Sequence, residues 1–336
     1  MNILITGGGT GGHLAIAKSI KEELNKRGLK PIFVGSCFGQ DRLWFEKDNG
    51  FSQKFFFPIQ GVVNKKGIKK FTAIWQIFHL SKKVRTILLQ NNINAVFSVG
   101  GYAAAPASFA AIYTKKALFI HEQNAIMGKL NKLLSPFAHR VFNSFTAPYD
   151  PYPVAEEFFA TQRIRQKLQT ILFLGGSQGA KQINDIAIAL APYLQKRGIT
   201  IIHQTGKQDF KRVQKAYKNM NIEAILFDFR KDLFSFFAKA DLAIARAGAS
   251  SLWELTANAL PTIFVPYPFA ANNHQYHNAK FLIDKNAAFL YTTLQDTLNI
   301  LDTINLPSLS QKLQTLAKPE GAKSIVDTIL TDINYR

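Results

Sequence analysis

Three glycine-rich turns, each placed directly after a short apolar run, restrict what this chain can become: GGGTGGH at 7–13, VGGYAAAP at 99–106 and GGSQGA at 175–180. Glycine at the end of a strand opens backbone conformations closed to other residues and lets amide N–H groups approach a phosphate. The helix that follows adds the positive end of its dipole. The first and third turns lie 168 residues apart, half of the 336-residue length. That spacing implies two α/β domains of ~150 residues each around a phosphate-bearing ligand.

The order of apolar runs supports this reading. A strand at 2–6 leads into the first glycine turn and a helix from about Leu14 to Lys26; strand 31–35 follows. The pattern resumes with strand 95–99, a helix near 106–113, strand 117–120 and a helix near 128–134. Residues 144–169, with Pro148, Pro151 and Pro153, read as an interdomain connection. A second series runs through strands 170–174, 199–203, 224–227, 242–245 and 262–265, and the chain turns helical from about Ser308. Alternating βα units imply parallel sheets with ligands at the carboxyl ends of the strands.

Charge narrows the partners. Lys and Arg number 41 against 22 Asp and Glu, a formal net charge of +19, which favours phosphates, nucleic acid or an anionic membrane face. Cys37 is the only cysteine, so no internal disulfide is possible and the chain reads as cytosolic. Asn2-Ile3-Leu4-Ile5 reads as a first strand rather than as part of a signal peptide. Two uncharged stretches, 93–114 and 255–273, are interrupted by Gly100, Gly101 and Pro106, and by Pro261, Pro266 and Pro268. They divide into strand, turn and helix, and no membrane span is expected.

Several polar residues sit where an α/β protein builds its site. Gly7, Gly9 and Gly12 match the dinucleotide spacing, yet the second strand ends Val34-Gly35-Ser36 without a ribose-binding carboxylate, and Asp41 comes too late. His13 leaves the ligand turn at a helix start and is assigned to the site rather than to a local hydrogen bond. His121-Glu122-Gln123-Asn124 follows the strand at 117–120; Asn124 suits a sugar hydroxyl or an amide, and Glu122 suits either a base or a loop brace. Ser177 opens a helix, as a phosphate donor or an N-cap. Arg246 through Glu254 follow strand 242–245, where Ser251 and Glu254 have capping-box spacing and Glu254 equally suits the vicinal hydroxyls of a ribose. Residues 272–279 begin a further helix with side chains that suit a sugar.

The segment 62–89 is different in kind. Phe71, Ile74, Trp75 and Phe78 recur at helical spacing, flanked by Lys65, Lys66, Lys69, Lys70, Lys82, Lys83 and Arg85. A core-facing helix with solvated lysines and a helix lying on an anionic bilayer both fit this pattern.

Taken in order, GGGTGGH, GGY…P, HEQN, GGSQGA, RAGAS…E, the two prolines at 261 and 266, and HQYHNA resemble the MurG family over residues 3 to about 281. The resemblance implies the GT-B architecture, two Rossmann-like domains facing across a cleft. It places an acceptor and membrane-associating domain at 1–155, a UDP-sugar domain at 156–320, and a helix of about 321–336 returning to the first. It implies an inverting, peripheral glycosyltransferase of peptidoglycan synthesis on the cytoplasmic face of the cell membrane. N-acetylglucosamine would pass from UDP-N-acetylglucosamine to the C4 hydroxyl of the muramoyl sugar of lipid I, giving lipid II. No cofactor, metal or nucleic acid is implied. Carried over by motif, Thr10, Gly11, Gly12, Asn124, Ser177 and Gln275 would contact the donor, Ala249, Ser250, Ser251 and Glu254 the uridine, with Arg230 where the family reads uracil by backbone. His13 is the first candidate for the base and Glu122 the second. The membrane-associating residues would be Lys69, Lys70, Phe71, Ile74, Trp75, Phe78 and Lys82.

This chain departs from the family pattern in three places. Leu14-Ala15-Ile16-Ala17 follows the first turn directly, without the usual Phe-Pro. Pro151-Tyr152-Pro153-Val154-Ala155 stands where the family carries Gly-Asn-Pro-Val-Arg, so the diphosphate-binding arginine is missing and Arg163 or Arg165 is the expected substitute. The stretch leading to GGSQGA is also short. A UDP-sugar epimerase of the same architecture and a non-catalytic basic adaptor are the alternative readings.

Overall fold

The computed structural model describes all residues except 60, 62–67, 177–178, 231 and 335–336, with residues 68–70 described as backbone. Met1–Pro153 with Glu320–Arg336 form one compact unit, and Val154–Pro319 a second.

The first unit contains β1 (Ile3–Thr6), α1 (Gly11–Lys26), β2 (Ile32–Ser36), α2 (Asp41–Phe45), β3 (Gln53–Phe57), α3 (Ile68–Gln90), β4 (Ala95–Ser98), α4 (Ala105–Tyr113), β5 (Ala117–Glu122), α5 (Lys129–Leu134) and β6 (Arg140–Asn143). Its strands form one sheet in the order β3-β2-β1-β4-β5-β6, and every pairing is parallel. The central strands β1, β4 and β5 are covered on both faces and are buried along their whole length, which is why they read as unbroken apolar runs. Leu4, Val34, Val96 and Ile120 pack on one face against Val84 and Leu88 of α3 and Ala107 and Ala111 of α4.

The second unit contains α6 (Glu156–Ala160), β7 (Thr170–Leu174), α7 (Lys181–Lys196), β8 (Thr200–Gln204), α8 (Phe210–Asn219), β9 (Ala224–Phe227), α9 (Phe234–Lys239), β10 (Leu242–Ala245), α10 (Ala249–Ala257), β11 (Thr262–Phe264), α11 (His274–Ile283), β12 (Phe289–Leu290), α12 (Leu294–Thr303) and α13 (Leu306–Leu316). Its sheet order is β12-β11-β10-β7-β8-β9, again all parallel. Counted from its own first strand, this is the order of the first sheet, so both units are Rossmann-like and the architecture is GT-B. A last helix, α14 (Gly321–Asn334), lies against α1 of the first unit through Ile325, Val326 and Ile329, with Arg27 Nη1 2.6 Å from Asp327 Oδ1.

Strands β3, β6 and β12 go beyond the sequence reading. All three lie at sheet edges. There half-exposed side chains and short length remove the apolar run that marks an interior strand. α1 begins at Gly11 rather than near Leu14, which brings His13 into its first turn.

Candidate active site

In a doubly wound sheet the ligand crevice opens where strand order reverses, beyond the carboxyl ends of the two strands that flank the reversal. In the first unit those strands are β1 and β4. The turns that follow them are GGGTGGH and VGGY, and the two interlock. Gly8 N donates to Gly100 O at 3.3 Å, and a Cβ on Gly101 would lie 2.6 Å from Gly8 O. Gly7, Gly8 and Gly9 have φ of 119°, 150° and 86°, and a Cβ on Gly7 would lie 2.5 Å from Gly100 O. Only glycine permits that approach.

The amides of this turn point inward, against the expectation of a phosphate cradle at Gly7–Gly9. Gly7 N donates to Val34 O, Gly8 N to Gly100 O, and Gly9 N to Asp41 Oδ1 at 2.6 Å. The other oxygen of Asp41 accepts from Ser36 N at 2.7 Å. Asp41 is fully buried; burial pushes its carboxyl up, while the two backbone donors pull it down. The residue set aside as too late for a ribose is thus the brace under the turn. Its signal was its place two residues after Gly39, whose φ is 79° and where a Cβ would lie 2.8 Å from Gly9 O. The exposed part of the turn begins at Thr10, the N-cap of α1, whose hydroxyl does not cap the helix.

Thr10 Oγ1 instead lies 2.8 Å from His13 Nδ1, and Gln123 Nε2 lies 2.9 Å from His13 Nε2. With the carboxamide so oriented, Nε2 accepts from Gln123 and Nδ1 donates to Thr10. Glu122 takes the other course. It is buried within β5, as is His121, rather than in a loop after it. Its Oε1 accepts from Asn124 N at 2.9 Å, and its Oε2 from Gly128 N at 2.9 Å and Asn131 Nδ2 at 2.8 Å. Three donors on one carboxylate make it the brace of the loop at 123–128. His121 has neither ring nitrogen hydrogen-bonded among the described residues; burial, helped by His13, pushes its pKa down to about 3.

The second unit repeats the arrangement at β7 and β10. After β7, Gly175 N donates to Gln204 O at 3.3 Å, and a Cβ on Gly179 (φ 80°) would lie 2.7 Å from Thr205 O. Ser177 falls outside the described residues. α7 begins without a side-chain cap at Ala180, and α10 begins without one at Gly248. The capping box, one of two readings that the spacing of Ser251 and Glu254 left equal, is not made, since the helix starts at Ala249 and both residues lie within it. Ala249 is buried, and Ser250 and Ser251 are half-buried beside it. Glu254 is half-buried, its carboxylate has no partner among the described residues, and burial raises its pKa from 4.5 to about 7. Gln275, in the first turn of α11, accepts from Tyr267 N at 2.9 Å. Arg230 is exposed, held by Asp232 at 2.7 and 2.8 Å above the Phe236 ring.

The missing linker arginine is not replaced by Arg163 or Arg165. Arg165 is wholly buried and donates to Arg163 O, Phe237 O, Ala240 O and the backbone and side-chain oxygens of Asn258. Arg163 donates to Ala238 O and Ala240 O and pairs with Asp241 at 2.7 Å. Both hold the carbonyl end of α9, and Arg165 holds that of α10 as well. Arg246 fits the role better. It follows β10 directly, at the reversal point, and its Nη1 donates to Gln182 Oε1, Val265 O and Pro266 O, all neutral acceptors. No carboxylate among the described residues compensates this half-buried cation, and burial lowers its pKa. Its place after a central strand was the signal available in the sequence.

On α3 the apolar stripe faces outward. Phe71, Ile74, Trp75 and Phe78 are 51–73% exposed, while Ala73, Leu80, Val84 and Leu88 on the other face are buried. Lys82 is exposed, with its ammonium 4.8 Å from the Phe78 ring centroid. The side chains of Lys69 and Lys70 fall outside the described residues. Among the described residues no helix is long and apolar enough to cross a membrane.

Comparison with known proteins decides the family. Residues 3–143 match the glycosyltransferase family 28 N-terminal domain and residues 170–329 the family 28 C-terminal domain. The chain is 53% identical to the UDP-N-acetylglucosamine–N-acetylmuramyl-(pentapeptide) pyrophosphoryl-undecaprenol N-acetylglucosamine transferase of Campylobacter fetus, over 98% of this chain and 99% of the relative. It belongs to the MurG family of glycosyltransferases. The same transferase of Nitratiruptor sp. is also 53% identical, over 98% of both chains. The crystal structure of Acinetobacter baumannii MurG superposes with a TM-score of 0.80 at 27% identity, over 98% of this chain and 99% of that one. A UDP-GlcNAc 2-epimerase from Neisseria meningitidis shares the architecture at a TM-score of 0.66 and 14% identity, over 98% of this chain and all of that one, which speaks for fold alone. The MurG family member described here is thus a transferase; neither the epimerase nor the adaptor reading is favoured.

Proposed function

We propose that this MurG family member moves N-acetylglucosamine from UDP-N-acetylglucosamine to the C4 hydroxyl of the muramoyl sugar of lipid I, with inversion, giving lipid II. The observation that carries the reading is the pair of turns at each strand-order reversal, one set ending in His13 and the other in Arg246 and Glu254. The second unit holds the donor. Glu254 accepts from the ribose hydroxyls, Ala249, Ser250 and Ser251 line the uridine, and the backbone near Arg230 meets uracil. Ser177, the amide ends of α7 and α10, and Arg246 offset the charge that develops on the departing diphosphate. Gln275 and Asn124 orient the sugar, with Thr10, Gly11 and Gly12.

The first unit supplies the base. The acceptor hydroxyl replaces Gln123 at His13 Nε2 and passes its proton there, while Thr10 keeps the Nδ1 proton in place. Glu122, already saturated by donors, acts through the loop it holds. The outward stripe of α3, with Lys69, Lys70 and Lys82, rests on the anionic cytoplasmic face of the cell membrane, where lipid I resides. Nucleic acid has no part in this reading.

The test is incubation with UDP-N-acetylglucosamine and a short-chain lipid I analogue, following UDP and the disaccharide product. Release of UDP with formation of the disaccharide is expected, and an intact donor after prolonged incubation would overturn the proposal. In the same assay His13→Ala lowers kcat by about 10²–10⁴ with donor KM unchanged; an unaltered kcat removes His13 from the role.

A further inference from the structure

The loop after β2 and the short helix α2 that follows it carry three large apolar side chains that the core does not use. Phe38, Leu43 and Trp44 are 43%, 78% and 37% exposed, whereas Phe45 beside them is buried against Phe33 and Phe51. This segment is not free on the surface. Asp41 binds it to the first glycine turn through Gly9 N and to the end of β2 through Ser36 N, and Gly39 lies directly against the backbone of Gly9. Its aromatic groups are therefore held in place before any ligand arrives.

Their position is specific. Gly11 is the first residue of α1, and a Cβ built there would lie 3.8 Å from Trp44 Cζ2 and 3.3 Å from Gln40 Oε1. Trp44 thus stands beside the N-terminus of the helix that carries His13 two residues later. On the other side of the turn Tyr102 lies 2.8 Å from where a Cβ on Gly9 would be, and 3.7 Å from one on Gly61. Gly9 thereby lets the Tyr102 ring pack directly on the turn.

We propose that Trp44 and Phe38 form an aromatic wall for the muramoyl ring of the acceptor, and so determine acceptor specificity. This rests on the reading of His13 as the base. The hydroxyl that His13 deprotonates belongs to a pyranose ring, so that ring lies at the N-terminus of α1. A pyranose offers a face of C–H groups, which suits the electron-rich face of an indole.

The experiment uses the full chain with UDP-N-acetylglucosamine and a water-soluble short-chain acceptor analogue, without vesicles. Trp44→Leu keeps apolar bulk against Gly11 and removes the aromatic face; it raises acceptor KM about tenfold and leaves donor KM unchanged. Phe38→Ala acts in the same direction, and Trp44→Phe restores most of the loss. Acceptor KM within twofold of the parent in Trp44→Leu and Phe38→Ala, with transfer intact, overturns the proposal. So does an equal rise in donor KM. Absence of transfer in the unaltered protein would instead sink the reading of the reaction itself.

Discussion

Glu254 shows how a single side chain records what a site is waiting for. An unpaired carboxyl half-buried in the second turn of α10 is unfavourable as an anion, which is why burial lifts it to about 7 from the usual 4.5. The folded state then holds a proton that the unfolded state has lost. Between about pH 4.5 and 7 this group alone makes stability fall as pH rises, while buried His121 and His203, with pKa values of about 3, make it rise up to about pH 6.5; over this range the parent therefore loses stability relative to Glu254→Gln. Ribose hydroxyls donating to the carboxylate favour its charged form, so binding of UDP-N-acetylglucosamine, whose diphosphate does not titrate in this range, releases up to about one proton near pH 6–7. Calorimetry in buffers of different ionisation enthalpy reads this number, and Glu254→Gln should bring it to zero. Glu254 stood out in the sequence, but spacing alone gave it an equal claim as half of a capping box. The cap falls at Gly248, and that depends on where the chain leaves β10. Asp41 was harder to recognise, because its partners Gly9 and Ser36 meet only once β1 and β2 are side by side.

At the scale of elements, α3 separates two readings that periodicity leaves equal. A helix can carry an apolar stripe toward its core or away from it. Here Ala73, Leu80, Val84 and Leu88 occupy the core face, so Phe71, Ile74, Trp75 and Phe78 have only solvent or a partner. Replacing Trp75 and Phe78 together with Ser should weaken partition onto anionic vesicles at least tenfold and leave thermal stability nearly unchanged. Co-sedimentation measures the first and calorimetry the second; equal partitioning would count against the membrane assignment. The central strands were legible because burial on both faces demands continuous apolar residues, as in TILFL and LAIA. The edge strands QKFFF and RVFN were not, since one side of each meets no further strand and polar residues are tolerated there.

At the scale of the molecule, the first unit is built from two distant parts of the chain. α14 is fixed to it by Arg27 and Asp327, by His139 Nε2 3.2 Å from Asp332 Oδ2, and by close packing of Gly321. A Cβ on Gly321 would lie 2.3 Å from Tyr152 O. Gly321→Ala should therefore destabilise the first unit by ~1–3 kcal/mol while a melting transition that UDP raises stays where it was. Two-transition calorimetry with and without UDP checks this, and a shift of both transitions together would contradict it. The repeated sheet order was legible in outline from two glycine turns half a chain apart, whereas the return of α14 was implied only by family resemblance.

The return of α14 also sets an order of events during synthesis. Domains usually complete themselves in the order in which they emerge from the ribosome. Here the second unit can finish while one flank of α1 still waits for its cover, so a chain cut short before Gly321 would keep that unit intact yet leave His13 on an unfinished scaffold.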